Sequence, residues 1–308
     1  MNTKRVMTNG AYIITGPTSG LGKETAFAMK EYGTLILVGR NATKLISLKT
    51  ELEKQGGKAL TIVCDMSDLV SVKQAADAIT QLNMPLLGLI NNAGIQNPVQ
   101  NKTKQGWDKT YVTNHLGPFL LTDALLPHLA NYANVLFIGS ATEDPERGPA
   151  KRAGFRGGRY INAQSSLYGN WAKGGSLKPG MDAYATSKQC NIASAMALSR
   201  EYPHININAM EPGIMFNTGL HDNMSPLFIA AARYLVPLLA HIIKVLSTPR
   251  RAAKIITKIM TDQAFATGQY YDEGGHIMQG SVQVHDSQFQ QRVVDETRAL
   301  ITQLTKGS

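Results

Sequence analysis

Six short, continuous runs of apolar residues punctuate the chain: AYIIT (11–15), TLILVG (34–39), ALTIVC (59–64), LGLI (87–90), NVLFIG (134–139) and INAM (207–210). Between the first three lie stretches with helical spacing, KETAFAMKEY and NATKLISLKTELEKQ. Continuous rather than alternating apolar strands, separated by helices, are what a parallel sheet covered on both faces requires. Right-handed crossovers then give a doubly wound α/β fold with helices on both faces. No internal repeat is evident and no linker divides the first 140 residues from the rest, so one domain is expected over residues 1–308.

Two segments break the rhythm. Residues 145–180 are rich in glycine and basic residues with little apolar periodicity, and read as an insertion. Residues 226–246 are strongly apolar but carry Arg233, Pro237, His241 and Lys244. A membrane span wants about 20 predominantly apolar residues with few charges, so a buried or lid helix pair is the better expectation.

Composition narrows the class. The 308 residues are 43% hydrophobic and 17% charged, an ordinary globular mixture that buries a large core without staples. Cys64 and Cys190 make no ligand spacing, which points to a reducing compartment, and the first ten residues lack the apolar core of a secretory signal; a cytoplasmic protein is expected. No histidine pair has metal-binding spacing, so no metal is expected. The formal charge of +9 suits nucleic acid, anionic lipid or a phosphate-bearing cofactor. No zinc-finger spacing, aromatic RNA-binding motif or basic helix supports nucleic acid.

The phosphate-bearing cofactor has a place to sit. The first strand runs into TGPTSGLGKE, with Gly16, Gly20 and Gly22 between an apolar strand and a helix. That order provides a tight turn, close approach of backbone to a pyrophosphate, and helix-terminal amides aimed at negative charge, the layout of a Rossmann-like dinucleotide site. Arg40 lies 18 positions after Gly22, where a ribose-reading residue belongs. An acidic side chain there holds a ribose 2′-hydroxyl; a guanidinium suits a 2′-phosphate and hence NADP(H). The alternative is a solvated arginine at a helix start. Asp65 and Met66, after the third strand, are placed to touch adenine, although Asp65 or Ser67 is equally a cap for the helix that follows. The fourth strand runs into NNAG, where two amides and two small residues suit close approach to a ligand.

Taken with Asn114 in VTNHLGPFLLT, Ser140 in FIGSAT, Tyr184 and Lys188 in YATSK, and the EPGIMFNTG turn, the chain resembles the short-chain dehydrogenases/reductases over roughly residues 10–275. NHLGPFLLT and the TGL after the PG turn further resemble carbonyl- and retinol-reductase-like members and light-dependent protochlorophyllide reductases. The resemblance implies an active site of Asn114, Ser140, Tyr184 and Lys188. It implies cofactor contacts from Gly16, Thr18, Ser19, Gly20, Leu21, Gly22, Arg40, Asn41, Asp65, Met66, Asn92, Ala93, Gly94 and Thr113. Tyr184, Lys188, Pro212, Gly213, Ile214 and Thr218 complete the set. Asn114 is implied to hold a helix open around a water that connects Lys188 to solvent.

The chemistry stands on its own argument. Carbonyl reduction needs a hydride at carbon and a proton at oxygen. Tyrosine is a poor acid at neutral pH, but an ammonium one helical turn away stabilises the phenolate and is expected to lower its pKa. Ser140 would hydrogen-bond the substrate oxygen as charge develops there. An NADPH-dependent reductase of a bulky, apolar ketone or aldehyde is therefore expected. A double-bond reductase of protochlorophyllide type and a non-catalytic NADP(H)-binding sensor are the alternatives, the latter having no need of all three residues.

Ser140 and Tyr184 stand 44 residues apart, longer than the family commonly shows, because of the insertion. In some monomeric carbonyl reductases such an insertion covers the dimerising helices, so here it is expected to wall the substrate pocket and favour a monomer or dimer over a tetramer. Its basic residues, Arg147, Lys151, Arg152, Arg156 and Arg159, read either an anionic substrate or nothing, as part of a solvated loop. A substrate lid is expected over about 214–248; an apolar lid favours an apolar substrate, with a membrane-surface dip as the alternative.

Overall fold

The computed structural model describes residues 9–214, 247–262 and 264–306. Seven parallel strands form one sheet: β1 (Ala11–Thr15), β2 (Thr34–Gly39), β3 (Lys58–Val63), β4 (Leu86–Asn91), β5 (Leu129–Ile138), β6 (Asn206–Met210) and β7 (Tyr270–Tyr271). Their order, β3-β2-β1-β4-β5-β6-β7, reverses direction of growth after β1, so the carboxyl ends of β1 and β4 border the crevice where doubly wound sheets bind ligands. The six expected strands are all present. Two departures have local causes. Strand β5 starts five residues early, across a register shift opposite Leu86/Gly88 and the left-handed Tyr132 (φ 64°). Strand β7 has only two residues, too few to leave a pattern in sequence.

The strand side chains divide by parity, as a pleated sheet buried on both faces demands. Ile13, Ile36, Val38, Leu89, Val135, Phe137 and Ile207 point into one apolar cluster. Ile14, Leu35, Leu37, Ile90, Leu136, Ile138 and Met210 point into another. The second cluster is closed by α1 (Gly20–Met29), α2 (Ala42–Glu53) and α9 (Pro249–Thr261). Covering the first are α3 (Leu69–Thr80), α5 (Gly117–Leu125), α8 (Pro179–Glu201) and α10 (Ser287–Thr305). Helix α8 is buried almost all round because the sheet packs on one side of it and α10 on the other. Arg298 on α10 fastens that layer, bonding Asp123 of α5 (2.9 Å) and Glu201 of α8 (2.8 Å).

The insertion is not the solvated loop its composition allows. It folds as α6 (Gly148–Arg152) and α7 (Ala163–Tyr168) and is pinned at several points. Tyr160 donates to Glu296 on α10 (2.7 Å), the Arg159 amide donates to the Thr186 hydroxyl (2.8 Å), and Arg292 donates to the Ile161 carbonyl. Two of its arginines bind its own backbone: Arg156 bonds the Phe155 carbonyl and Arg159 the Arg156 carbonyl. The lid expected over 214–248 lies, apart from Ile214, Ser247 and Thr248, outside the described residues. Among the described residues no helix is long and apolar enough to cross a membrane.

Close packing at the crossing of α5 and the loop after β3 yields a test. A Cβ on Gly117 would stand 2.3 Å from the Met66 carbonyl oxygen, a backbone atom with little freedom to retreat. Gly117→Ala should therefore lose about 1–3 kcal/mol, read as a lower urea midpoint at unchanged slope.

Candidate active site

The glycine loop between β1 and α1 is shaped by what it cannot accommodate. Gly16 and Gly20 take left-handed φ of 64° and 51°, a conformation costly for residues with a Cβ. A Cβ on Gly22 would lie 2.3 Å from the Gly16 carbonyl oxygen. Thr15 and Asn92 hold the loop from below. The Thr15 hydroxyl accepts the amides of Asn92 (3.0 Å) and Ala93 (2.9 Å), while Asn92 Nδ2 donates to the Thr15 and Gly16 carbonyls. Ser19, at the start of α1, caps no amide with its side chain, so helix-terminal donors face outward beside Thr18 and Leu21. This cradle fits a pyrophosphate.

Around it stand the other expected contacts. Arg40 is exposed in the turn after β2. Asn41 caps α2 by accepting the Lys44 amide (2.9 Å), and Asp65 accepts the Ser67 amide and hydroxyl. The cap of α3 is Asp68, so neither Asp65 nor Ser67 serves there. Met66 is buried in the larger core cluster, and Gly94 faces Asn114 and Lys188. Thr113 keeps a buried hydroxyl without a protein hydrogen bond. Pro212 and Gly213 (φ 82°) form the turn after β6 and lead to the exposed Ile214. Thr218 lies outside the described residues.

The four residues expected to be catalytic lie toward the carboxyl ends of the central strands. Asn114 sits in a π-helical turn (Val112–Leu116) between α4 (Lys109–Tyr111) and α5. Its amide clamps Ile95, accepting the Ile95 N–H at 2.8 Å and donating to the Ile95 carbonyl at 2.9 Å, and also reaches the Ser187 hydroxyl. The helix is π-helical at this point, and the Asn114 carbonyl is reached by a side chain. Asn191 Nδ2 donates to the Asn114 carbonyl (2.8 Å), so Asn191 Oδ1 faces His115 Nδ1 (2.9 Å), which donates. His115 Nε2 then accepts from the Thr297 hydroxyl of α10 (3.1 Å).

Ser140 lies two residues past β5 and caps the short turn that follows. Tyr184 and Lys188 occupy one face of α8, with Lys188 Nζ 5.5 Å from the centre of the Tyr184 ring. Lys188 is 4% exposed and donates to the Ile138 carbonyl at 2.7 Å. Burial lowers its pKa to about 8, opposed by the nearby Glu211 carboxylate. The expected lowering of the Tyr184 pKa is not found in the protein alone. Burial raises it, Glu211 adds to the rise, and a hydrogen bond with Ser140 only partly offsets them. Phe155 of the insertion packs against the Tyr184 ring at 6.1 Å between centroids.

Sequence reading missed four residues that build this site: Thr15, His115, Asn191 and Glu211. Asn191 lies one turn after Lys188 on the same helical face, a legible spacing, and Glu211 is a carboxylate directly after an apolar strand. Thr15 and His115 had no such signal, because their hydrogen bonds join segments far apart in sequence.

A strand-end glycine cradle suited to a dinucleotide, beside a Ser-Tyr-Lys cluster, is the arrangement of an oxidoreductase of the Rossmann-like class. The short chain dehydrogenase family model matches residues 11–148. A short-chain dehydrogenase/reductase of Armillaria gallica is 32% identical over 234 residues, 71% of this chain and 69% of its own. The chloroplastic protochlorophyllide reductase of Pisum sativum is 29% identical, covering 87% of this chain and 70% of its own. A Brucella melitensis 3-oxoacyl-[acyl-carrier protein] reductase, solved with bound NAD, shares the fold at a TM-score of 0.63 and 24% identity, over 89% of this chain and 93% of that one. The chain belongs to the short-chain dehydrogenase/reductase family.

The His115 network carries a prediction about acid stability. Burial lowers the His115 pKa to about 4 from an ordinary 6.5, so the folded protein keeps the ring neutral where the unfolded chain protonates it. Stability is lost as pH falls from 6.5 through 4. Urea melts across that range should show the decline, and His115→Gln should flatten it.

Proposed function

We propose that the protein reduces the carbonyl of a bulky, apolar ketone or aldehyde with NADPH, or runs the reverse oxidation. The observation that carries this reading is the junction of Ser140, Tyr184 and the buried Lys188 beside the glycine cradle. When bound, the cofactor supplies the hydride. Tyr184 gives its phenolic proton to the substrate oxygen, and Ser140 holds that oxygen as negative charge develops. Lys188 binds the nicotinamide ribose hydroxyls and, as a cation, stabilises the phenolate left behind. Phe155 and Ala150 pack on Tyr184 and offer an apolar surface to a substrate there. Arg40 supports NADP(H) over NAD(H) by offering a guanidinium to a 2′-phosphate.

We place the enzyme in the cytoplasm as a monomer or dimer. That assembly is supported by α10 and the insertion, which together occupy the outer side of α8 within the chain itself. Light scattering on the purified protein tests it, and a stable tetramer would refute it. Reduction of a carbon–carbon double bond is the second reading, favoured by the similarity to protochlorophyllide reductases. Turnover that requires light would select it.

NADPH oxidation over a panel of aldehydes, ketones and quinones, with NADH alongside, tests the main reading. Tyr184→Phe should lower kcat by about 100- to 10,000-fold, and Arg40→Ala should raise KM for NADPH while leaving that for NADH nearly unchanged. The pH profile has a defined sign. Lys188 is cationic below about 8 and neutral above, while Tyr184 keeps its proton on both sides of that point. Reduction should therefore be fastest below pH 8 and decline as pH rises through it.

A further inference from the structure

Glu211 follows β6 directly, as Gly139 and Ser140 follow β5, and the two strands are paired in register through Ile138 and Met210. Its side chain is 7% exposed, and its carboxylate bridges the two strand ends. One oxygen accepts the Ala141 amide, next to Ser140 in the chain; the other accepts the Gly213 amide at 3.0 Å. Its own amide donates to the Tyr271 carbonyl (2.8 Å), which locks the residue to β7.

We propose that Glu211 is a positioning residue of the reduction: one buried carboxylate fixes the Ser140 loop against the Pro212-Gly213 turn and faces Lys188 as its counter-charge. The inference rests on the reductase reading above. A neutral acceptor cannot replace it. With two amides to satisfy, a carboxylate accepts at both oxygens, whereas glutamine presents an NH2 to one of them. The charge has a second role. Lys188 is buried under a single carbonyl, and an anion across the strand ends favours its protonated form.

The surroundings are mixed in sign. Burial raises the Glu211 pKa and Glu273 after β7 adds to the rise, whereas the Ala141 and Gly213 amides, and then Arg147 from the insertion, favour its ionised form. The charge of Glu211 acts on Tyr184 and Lys188 of α8, and on Tyr270 of β7, which Glu143 in the turn after Ser140 also influences. The phenol of Tyr270 is fully buried without a hydrogen bond, so it leaves the Glu211 oxygens to the two amides.

The test reads Lys188 directly in the full-length protein, without turnover. NMR of protein with 13C-labelled lysine follows its side chain, assigned by the signal lost in Lys188→Arg. The wild-type midpoint is expected near 8. In Glu211→Gln it should fall by about 1 pH unit, and kcat should fall by about 10- to 100-fold from misalignment of Ser140. An unchanged Lys188 midpoint in folded Glu211→Gln overturns the proposal.

If that variant does not fold, Glu211→Asp decides. It keeps the charge but is one methylene short, so amide hydrogen exchange at Ala141 or Gly213 should quicken by at least about tenfold. Unchanged exchange at both overturns the proposal. A wild-type protein that reduces no carbonyl compound overturns the reductase reading instead, and leaves the titration and exchange to decide the role of Glu211.

Discussion

An ammonium group held at the carboxyl end of a parallel sheet is costly to bury and needs oxygen around it. The surroundings of Lys188 meet that requirement. Lys188 finds the Ile138 carbonyl at the end of β5, where a strand terminates and its carbonyl has no ladder partner to satisfy. It stands beside Gly94, the small residue that lets the β4 loop pass close to it, and it is faced by the Glu211 carboxylate. Its pKa settles near 8, high enough for a cation at neutral pH and low enough to titrate in the working range.

The neighbouring helix is irregular at Asn114. Asn114 must reach Ile95 on one side and Ser187 on the other, and a regular α-helical turn would direct its amide elsewhere. The π turn over Val112–Leu116 widens the helix at that point and frees a carbonyl. Asn191 takes that carbonyl, His115 takes Asn191, and Thr297 completes the chain from the C-terminal helix. Each member is buried, and each has its polar atoms in this chain paired, which is the condition under which a buried network rigidifies a site. Helix α10, remote from the chemistry, thus has a line of contact to Asn114.

Much of the fold was legible because strands buried on both faces leave uninterrupted apolar runs, and all six such runs became strands. The glycine cradle was legible too, since glycine takes φ near 60° at least cost and a Cβ on Gly22 would meet the Gly16 carbonyl oxygen. Tyr184 and Lys188 were readable from helical spacing. The electrostatics were not. A lysine four residues from a tyrosine promised a lowered phenol pKa, yet burial of the phenol dominates and raises it. Burial is a property of the assembled layers, so no local spacing reports it.

The sequence by itself determined the apolar runs that became strands, the glycine loop and the Tyr184–Lys188 spacing on one helix. Each of these depends on residues within about one turn or one strand of each other. The tertiary structure alone decided that the basic insertion packs against α8 and α10, that Asn191 occupies the Asn114 carbonyl, and that Glu211 meets the amide beside Ser140. Those contacts join segments tens of residues apart. Parallel pairing brings the ends of β5 and β6 side by side, and helix packing brings α8 against α10 and the π turn, juxtapositions that chain order does not display.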